Sequence, residues 1–259
     1  PQITITKLAA DTDIELEISF AIPPVIDIAD YKKISKKHNS KKDETSDITA
    51  TEEEIEAMML DLRKQVAHMN YHATHNHSDH SHGDLEPAAL DEDFAKKVGP
   101  NFKTVDAVRA AVKENIEGGK KQKATEKSRI ELIDAIIADS KIEYPEFFLT
   151  SEQGILIEEL RADLARMGST LEDYLKQINK SETELREERK EVADKRVRSQ
   201  LALSKIAVSE DIKPDTQVVE EQVKDIMKQH PSAAKENVVA FVERFELNQL
   251  VWKFLEEIK

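Results

Sequence analysis

The stretch MGSTLEDYLKQINKSETELREERK, residues 167–190, holds two helix starts in close succession. Gly168 ends the helix before it. Ser169-Thr170-Leu171-Glu172 is a candidate N-cap with acidic support in the first turn, and it predicts a short helix. Ser181-Glu182-Thr183-Glu184 is a capping box, with Ser at the N-cap and Glu at N3, and it predicts a long helix running to about Val208. The stretch therefore indicates helices joined by short turns.

The same pattern extends over Ser128–Pro214. Two upstream helices are indicated by apolar side chains that recur every three or four residues. The first covers Ser128–Ile137, and the second begins near Thr150 or Ser151. The two apolar stripes are Ile130, Ile133, Ile136 and Ile137, and then Leu156, Leu160, Leu164 and Met167.

Further helices are predicted towards the N-terminus. Thr51-Glu52-Glu53-Glu54 is a capping box for a helix that is predicted to end near His68. Another helix begins at Thr104 or Asp106. Gly118-Gly119 interrupts it at a cost of about 2 kcal/mol relative to two alanines, so we expect a kink or a break there.

The C-terminal part is also predicted to be helical. Pro214 is expected at position N1 of a helix that reaches Gln229, because its fixed φ suits the first helical position. Residues 233–258 predict one or two last helices, whose anchors form the densest apolar patch of the chain. These anchors are Val238, Val239, Phe241, Val242, Phe245, Leu250, Val251, Trp252, Phe254 and Leu255.

The first 31 residues differ from the rest of the chain. Ile3–Thr6 and Ile14–Phe20 alternate apolar and polar residues with a period of two, which is typical of strands. Pro23-Pro24 ends the second strand, because proline cannot donate to a ladder. Residues 35–50 are rich in Lys, Ser, Asp and Asn and are interpreted as a solvated linker.

Composition narrows the class of protein. Charged residues make up 35% and aromatic residues 5% of the 259 residues, which is typical of a helix-rich protein with long exposed faces. A formal net charge of −14 argues against nucleic acid as a partner. The chain has no cysteine, which excludes disulfides, and no apolar run long enough to span a bilayer. We expect a cytoplasmic protein without a membrane partner.

The sequence contains no motif for catalysis. A phosphate-binding loop, a nucleophile elbow and a dinucleotide fingerprint are all missing. The many carboxylates lie on predicted helix faces with lysines and arginines four residues away, which indicates a salt-bridged surface. We therefore expect no enzyme and no cofactor.

A histidine-rich segment is the one candidate for metal binding. It begins at His68, ends near Gly83 and holds six of the eight histidines. Neutral imidazoles at this density can bind Zn²⁺ or Ni²⁺, although the spacing is irregular and no CxxC or HExxH motif accompanies them. A polar insertion without a structural role is the competing interpretation. The candidate ligands for weak, adventitious binding are His72, His75, His77, His80 and His82.

The apolar stripe of the helix that starts near Ser151 also has two interpretations. Its residues belong to a core, or some of them line an open groove for apolar segments of other chains. The sequence alone does not separate the two, because both use the same stripe. The candidate residues for binding such segments, which we call client-binding residues, are Phe147, Phe148, Ile155, Leu156, Leu160, Leu164 and Met167.

Segments across nearly the whole chain resemble the trigger factor family of bacterial ribosome-associated chaperones, and their order carries the resemblance. Those similar to its C-terminal domain are Ile142–Pro145, Met167–Leu175, Glu184–Arg186, Gln200–Ala207, Glu210–Pro214 and Glu246–Glu256. Leu90–Gly99 resembles the segment that follows the family's isomerase domain, and Ile18–Lys32 the linker that precedes that domain.

The resemblance implies a mainly α fold, a multi-helix body with protruding helical arms and a short N-terminal β-linker. The expected organisation is a strand and linker segment over 1–50, a connecting helix over 51–67, a histidine-rich loop over 68–89 and a helical chaperone domain over 90–259. The loop stands where the family carries its prolyl isomerase domain and is far too short to be one. Isomerase activity is therefore not expected.

The resemblance also implies a function. We expect an ATP-independent holdase that binds unfolded or nascent polypeptides in a helical cradle and aids their folding and export. A ribosome would be a partner only if a docking domain preceded Pro1, and the start on proline suggests a fragment of a longer product. The alternatives are a metal-binding or storage protein that uses the histidine-rich loop, and an assembly scaffold with one saturable partner.

Overall fold

The computed structural model describes residues 2–7, 15–19, 22–42, 48–74 and 85–259. This part of the chain forms ten helices and two antiparallel two-stranded sheets, so the predicted mainly α class is confirmed. The chain divides into two compact units, one made of Pro1–Lys41 with Glu131–Lys259 and the other of Lys42–Ile130. The helices are α1 Tyr31–Lys42, α2 Glu52–Thr74, α3 Glu92–Val98, α4 Val105–Ala138, α5 Glu146–Arg166, α6 Leu171–Ile178, α7 Glu182–Glu188, α8 Lys190–Ser209, α9 Thr216–Gln229 and α10 Lys235–Glu257. The strands are β1 Gln2–Lys7, β2 Glu15–Ser19, β3 Val25–Asp27 and β4 Lys141–Glu143.

The unit Lys42–Ile130 is organised around α2, α3 and the first part of α4. The capping box at the start of α2 is confirmed: Thr51 N–H donates to Glu54 Oε2 at 2.9 Å, and Glu54 N–H donates to Thr51 Oγ1 at 3.2 Å. The core residues of this unit are Ile55, Met59, Val66, Phe94, Ala95, Val108 and Val112. α2 continues to Thr74, so the prediction that residues 68–74 belong to a loop is wrong.

The helix α4 runs without a break through Gly118-Gly119, which the sequence predicted to kink or interrupt it. Residues on either side of the two glycines are held by tertiary contacts. Glu117 Oε1 accepts the N–H of Ala50 at 3.2 Å. Lys120 Nζ donates to Thr49 O and contacts Glu54 Oε2, each at 2.7 Å. These contacts offset the low helix propensity of glycine.

The main core of the other unit lies among the end of α4, α8, α10 and β4. Its buried residues are Leu132, Ile133, Ile136, Ile142, Ala202, Leu203, Ile206, Ala207, Val251 and Leu255. The strand β3 pairs antiparallel with β4, with Ile26 opposite Ile142. The strand β1 pairs antiparallel with β2. The alternating pattern of the first 31 residues predicted the two strands but not their pairing.

The segment predicted as a solvated linker over 35–50 is helical up to Lys42. The helix α1 packs Tyr31 and Ile34 against the main core and buries Ser35 completely. Asn39 Nδ2 donates to the carbonyls of Leu255 at 2.9 Å, Glu256 at 3.3 Å and Ile258 at 2.9 Å. The polar composition of α1 does not predict a helix. Packing on the main core and hydrogen bonds to the end of α10 stabilise it.

Several helix boundaries differ from the predicted ones. α5 begins at Glu146, directly after Pro145, and not near Thr150 or Ser151. The long helix expected after Ser181 is divided at Arg189 into α7 and α8. Pro214 lies outside α9, because the side chain of Asp215 caps that helix by accepting the N–H of Gln217 at 2.8 Å.

The helix α10 buries opposite faces in its two halves. Val238 and Val242 are buried with residues of α9, whereas Val251 and Leu255 are buried in the main core. Val251 comes nine residues after Val242, a rotation of about 900°, so these two side chains lie about 180° apart around the helix. A single helix thus joins two clusters, where the sequence allowed one or two.

Candidate client-binding surfaces

The helix α5 is held by a small core shared with α6 and α7. Its buried residues are Ile157, Leu164, Leu171 and Leu185. Gln153 Nε2 donates to the carbonyl of Arg186 at 2.8 Å, which joins α5 to α7. On the α8 side, Arg196 contacts Glu152 at 3.5 Å and Glu159 at 2.9 Å. These contacts fix which face of α5 is left to solvent.

The structure divides the seven predicted client-binding residues into three groups. Leu156 is 3% and Leu164 is 8% exposed, so both are core residues here because they pack inward from α5. Phe148 and Leu160 are half-buried. Phe147 is 68%, Ile155 is 44% and Met167 is 80% exposed. We call Phe147, Ile155 and Met167 the α5 surface.

Phe147 is the outermost ring of a row of three aromatic side chains. Its ring centroid lies 6.0 Å from that of Phe148, and Phe148 lies 6.2 Å from Tyr144, both in edge-to-face geometry. Edge-to-face packing at this distance is favourable for aromatic rings. The row therefore holds Phe147 in place although most of its surface is in water.

Tyr144 anchors this row to α8. Its hydroxyl donates to Asp194 Oδ1, and Arg198 Nε donates to Asp194 Oδ2 at 2.8 Å. Arg198 also donates to the carbonyl of Ile142 at 3.0 Å, and its guanidinium carbon lies 5.6 Å from the Tyr144 ring centroid. Burial raises the pKa of Tyr144 to about 12, and the bond to Asp194 adds to the shift.

Met167 lies at the other end of the α5 surface. It follows the last residue of α5, and Gly168 after it has a φ of +74°, a conformation that glycine adopts without strain. Ser169 N–H then donates to the carbonyl of Leu164 at 2.9 Å, which closes the turn. The side chain of Met167 therefore projects from the turn, where its unbranched chain can adapt to an apolar contact.

A second exposed aromatic surface lies on α10. Phe241 and Phe245 are 52% and 47% exposed, and their rings stack at 6.4 Å with an interplanar angle of 17°. We call these residues the α10 aromatic pair. Sequence reasoning placed both among the core anchors and missed them as surface residues. The sequence holds no signal that separates them from the buried anchors, because only the packing of α10 shows which of its apolar residues are buried.

The unit Lys42–Ile130 has an open groove of about 480 Å³ between α2 and α4. Its floor is apolar, and two carboxylates stand among the lining side chains. The lining residues are Glu54, Ala57, Met58, Asp61, Leu62, Gln65 and Ile116.

Of the candidate metal ligands, the structure places only His72. It is exposed near the end of α2. His75, His77, His80 and His82 lie outside the described residues. Within the described ranges, no three His, Asp or Glu side chains come together as a metal site. No helix in those ranges is long and apolar enough to cross a membrane.

Comparison with known proteins gives one consistent match. A family model for the bacterial trigger factor protein C-terminus matches residues 104–257. The chain is 32% identical over 145 residues to the trigger factor of Clostridium acetobutylicum, covering 56% of this chain and 33% of the relative. It is 34% identical over 134 residues to that of Bacillus cereus (strain B4264), covering 52% and 31%.

The chain thus spans about a third of the length of the curated relatives it matches. One solved structure, described as "Promiscuous Substrate Recognition in Folding and Assembly Activities of the Trigger Factor Chaperone", is similar over 100% of this chain and 79% of its own. The identity is 14% and the TM-score is 0.39.

Proposed function

Because the chain belongs to the family of the bacterial trigger factor C-terminus, we propose that it is an ATP-independent chaperone that binds unfolded or nascent polypeptides. The observation that carries the proposal is the exposure of aromatic side chains in ordered helices. Phe147, Phe241 and Phe245 each have about half or more of their surface in water. Phenylalanine is usually buried, and exposed apolar groups that lie together mark sites of interaction.

The α5 surface is suited to weak contacts with many sequences. Phe147 and Ile155 are eight residues apart on α5, which places them within about 80° of each other around the helix. Met167 is a separate contact point, because twenty residues place it about 30 Å along α5 and about 200° around it from Phe147, and it offers a flexible thioether side chain. A ring, a branched chain and an unbranched chain accept apolar residues of different shapes, which is the property of a promiscuous binder.

Charged residues beside the apolar ones keep such a surface soluble. Arg161 Nε contacts Glu158 Oε1 at 3.3 Å, and Arg166 pairs with Asp163. The net charge of −14 opposes self-association through repulsion. A client therefore binds to exposed apolar side chains that are flanked by charged ones, which favours reversible binding.

Three finer parts of the proposal rest on family membership. The clients include nascent chains, binding aids their folding and export, and the protein acts in the cytoplasm. Binding to a ribosome requires a docking domain in a longer product.

The test is suppression of aggregation of chemically denatured clients, measured by light scattering without ATP. Three unrelated clients should be protected at stoichiometric amounts. F147S/I155S/M167S and F241S/F245S should each reduce protection, and the combined variant should reduce it further. The matched control is V192S/V208S, which changes two exposed branched residues of α8 that are 49% and 79% exposed.

Circular dichroism should show the same helix content for all variants, because no buried side chain is changed. Absence of protection by the unmodified chain would refute the proposal. Protection of a single client, saturable at one equivalent, would favour an assembly scaffold instead. Equal loss in V192S/V208S would show that protection depends on the total exposed apolar area, and not on the α5 surface and the α10 aromatic pair.

A further inference from the structure

The last two turns of α2 carry two histidines on one face of the helix. His68 and His72 are four residues apart, both are exposed, and α2 continues to Thr74. Four residues rotate an α-helix by about 400°, so the two side chains are neighbours with Cβ atoms about 5–6 Å apart. Two imidazoles at this spacing can bind the same ion.

We infer that His68 and His72 together bind one divalent late transition-metal ion of the class of Ni²⁺, Cu²⁺ and Zn²⁺. Neutral imidazole nitrogen suits these ions, whereas Mg²⁺ and Ca²⁺ take oxygen ligands. The two histidines provide two ligands on a formed helix, and water takes the other coordination positions. The inference does not depend on the proposed chaperone function.

The surroundings of the two histidines favour metal binding more than a helix face with only polar neighbours would. The ring of Tyr71 lies 6.0 Å from that of His72 at 80°, and this edge-to-face contact restricts the rotation of the imidazole. The ammonium group of Lys97 is bonded to this part of α2: its Nζ donates to Asn70 Oδ1 at 2.7 Å and pairs with Asp93 at 2.6 Å. Its charge is therefore partly neutralised by its own partner.

The helix itself distinguishes this pair from a histidine-rich tail. Ligands on a rigid element lose little conformational entropy on binding, because their backbone is already ordered. A metal ion that joins His68 to His72 also links two successive turns near the end of α2. Because the unfolded chain lacks this spacing, binding should stabilise the helix end against fraying.

The test uses the full chain with His75, His77, His80 and His82 all changed to Asn, so that only the helix pair is measured. Titration calorimetry with NiCl₂ and ZnCl₂ should show one ion per chain, and MgCl₂ should show no binding. Adding H72A should weaken Ni²⁺ binding about tenfold or more, the equivalent of about 1.4 kcal/mol. Hydrogen exchange should show slower exchange of the last turns of α2 only when Ni²⁺ is present.

A second variant keeps the number of histidines and changes only their spacing. H72A/M69H places the second imidazole next to His68, about 100° away around the helix, at a position where the native side chain is 50% exposed. It should bind as weakly as H72A. The inference fails if the parent variant binds no Ni²⁺, if H72A binds as tightly as its parent, or if H72A/M69H restores tight binding.

Discussion

The hydroxyl of Tyr144 donates a hydrogen bond to the carboxylate of Asp194, fifty residues further along the chain. The bond joins the segment between β4 and α5 to α8 and forms the inner end of the aromatic row that leads to Phe147. Burial alone would raise the pKa of Asp194, but the hydrogen bonds from Tyr144 and Arg198 and the positive charge of Arg198 lower it overall. The orientation of an exposed ring thus depends on a half-buried polar network.

Removing the Tyr144 hydroxyl should destabilise the protein. Y144F should lower the free energy of unfolding by about 1.5 kcal/mol, because a hydrogen bond to a charged group is lost. Urea denaturation at pH 7 measures the change. The control is Y174F, since Tyr174 is half-buried in the α5–α7 core and its hydroxyl has no hydrogen bond within the described ranges; it should change stability by about 0.5 kcal/mol or less. Equal losses in both variants would contradict the prediction.

The charge of Asp194 should contribute stability with a defined pH dependence. Its pKa is lowered in the folded protein, so its contribution is fully present above the unfolded value of 3.8 and is lost as the pH falls through the folded value. The difference in unfolding free energy between the unmodified chain and D194N should therefore be larger at pH 7 than at pH 3. A difference that is the same at both pH values would show that the charge of Asp194 does not contribute to the free energy of unfolding.

Tyr31 should contribute stability with the opposite pH dependence. Burial raises its pKa from 10.0 to about 12, and its hydroxyl donates to Glu210 Oε1 at 2.5 Å. The contribution is fully present below about pH 10 and is lost as the pH rises through about 12. Y31F should cost about 1 kcal/mol at pH 8, and its deficit relative to the unmodified chain should shrink at pH 11. A constant deficit would count against the bond to Glu210.

The carboxamide of Asn39 should stabilise the end of α10. N39A should destabilise the protein by about 1 kcal/mol, and N39D by more, because a carboxylate would face the carbonyls of Leu255, Glu256 and Ile258 without a donor. Hydrogen exchange of residues 252–258 should accelerate in both variants. S40A is the matched control, because Ser40 is exposed and donates only within α1, to Lys37. Unchanged exchange in N39D would exclude this role.

The two glycines inside α4 should be replaceable with a gain in stability. Both are exposed, and a Cβ at either position meets no atom within 4 Å. G118A/G119A should stabilise the protein by about 2 kcal/mol through helix propensity. G168A is the counterpart and should destabilise it, because Gly168 has a φ of +74°. Thermal unfolding of the three proteins measures both effects, and a loss of stability in G118A/G119A would contradict the first.

Local signals predicted many of the helix starts. The side chains of Thr51, Thr170 and Ser181 accept N–H groups of the first turn at α2, α6 and α7. Such caps are formed between residues two or three apart, so the sequence contains both partners. The helix α1, which the sequence did not predict, depends on distant residues, because Asn39 is bonded to carbonyls more than two hundred residues away.

The candidate surfaces were less predictable than the helices. Leu156 and Phe147 lie on the same helix, yet one is 3% and the other 68% exposed, because α6, α7 and α8 cover one side of α5 and leave the other to solvent. The sequence pattern of α5 does not identify that side, since apolar residues occur around the whole helix. Burial was therefore decided by neighbours that lie up to fifty residues away.

The sequence by itself determined the mainly α class, the capped helix starts and the family, because these depend on short-range spacing and on the order of motifs along the chain. The tertiary structure alone decided which apolar side chains are core and which are surface. On α10, Val242 and Val251 are buried on opposite faces, and Phe241 and Phe245 are left exposed between them. The reason is that α10 is one continuous helix that packs on α9 in its first half and in the main core in its second half. The order of apolar residues along the chain does not specify which neighbour covers which turn.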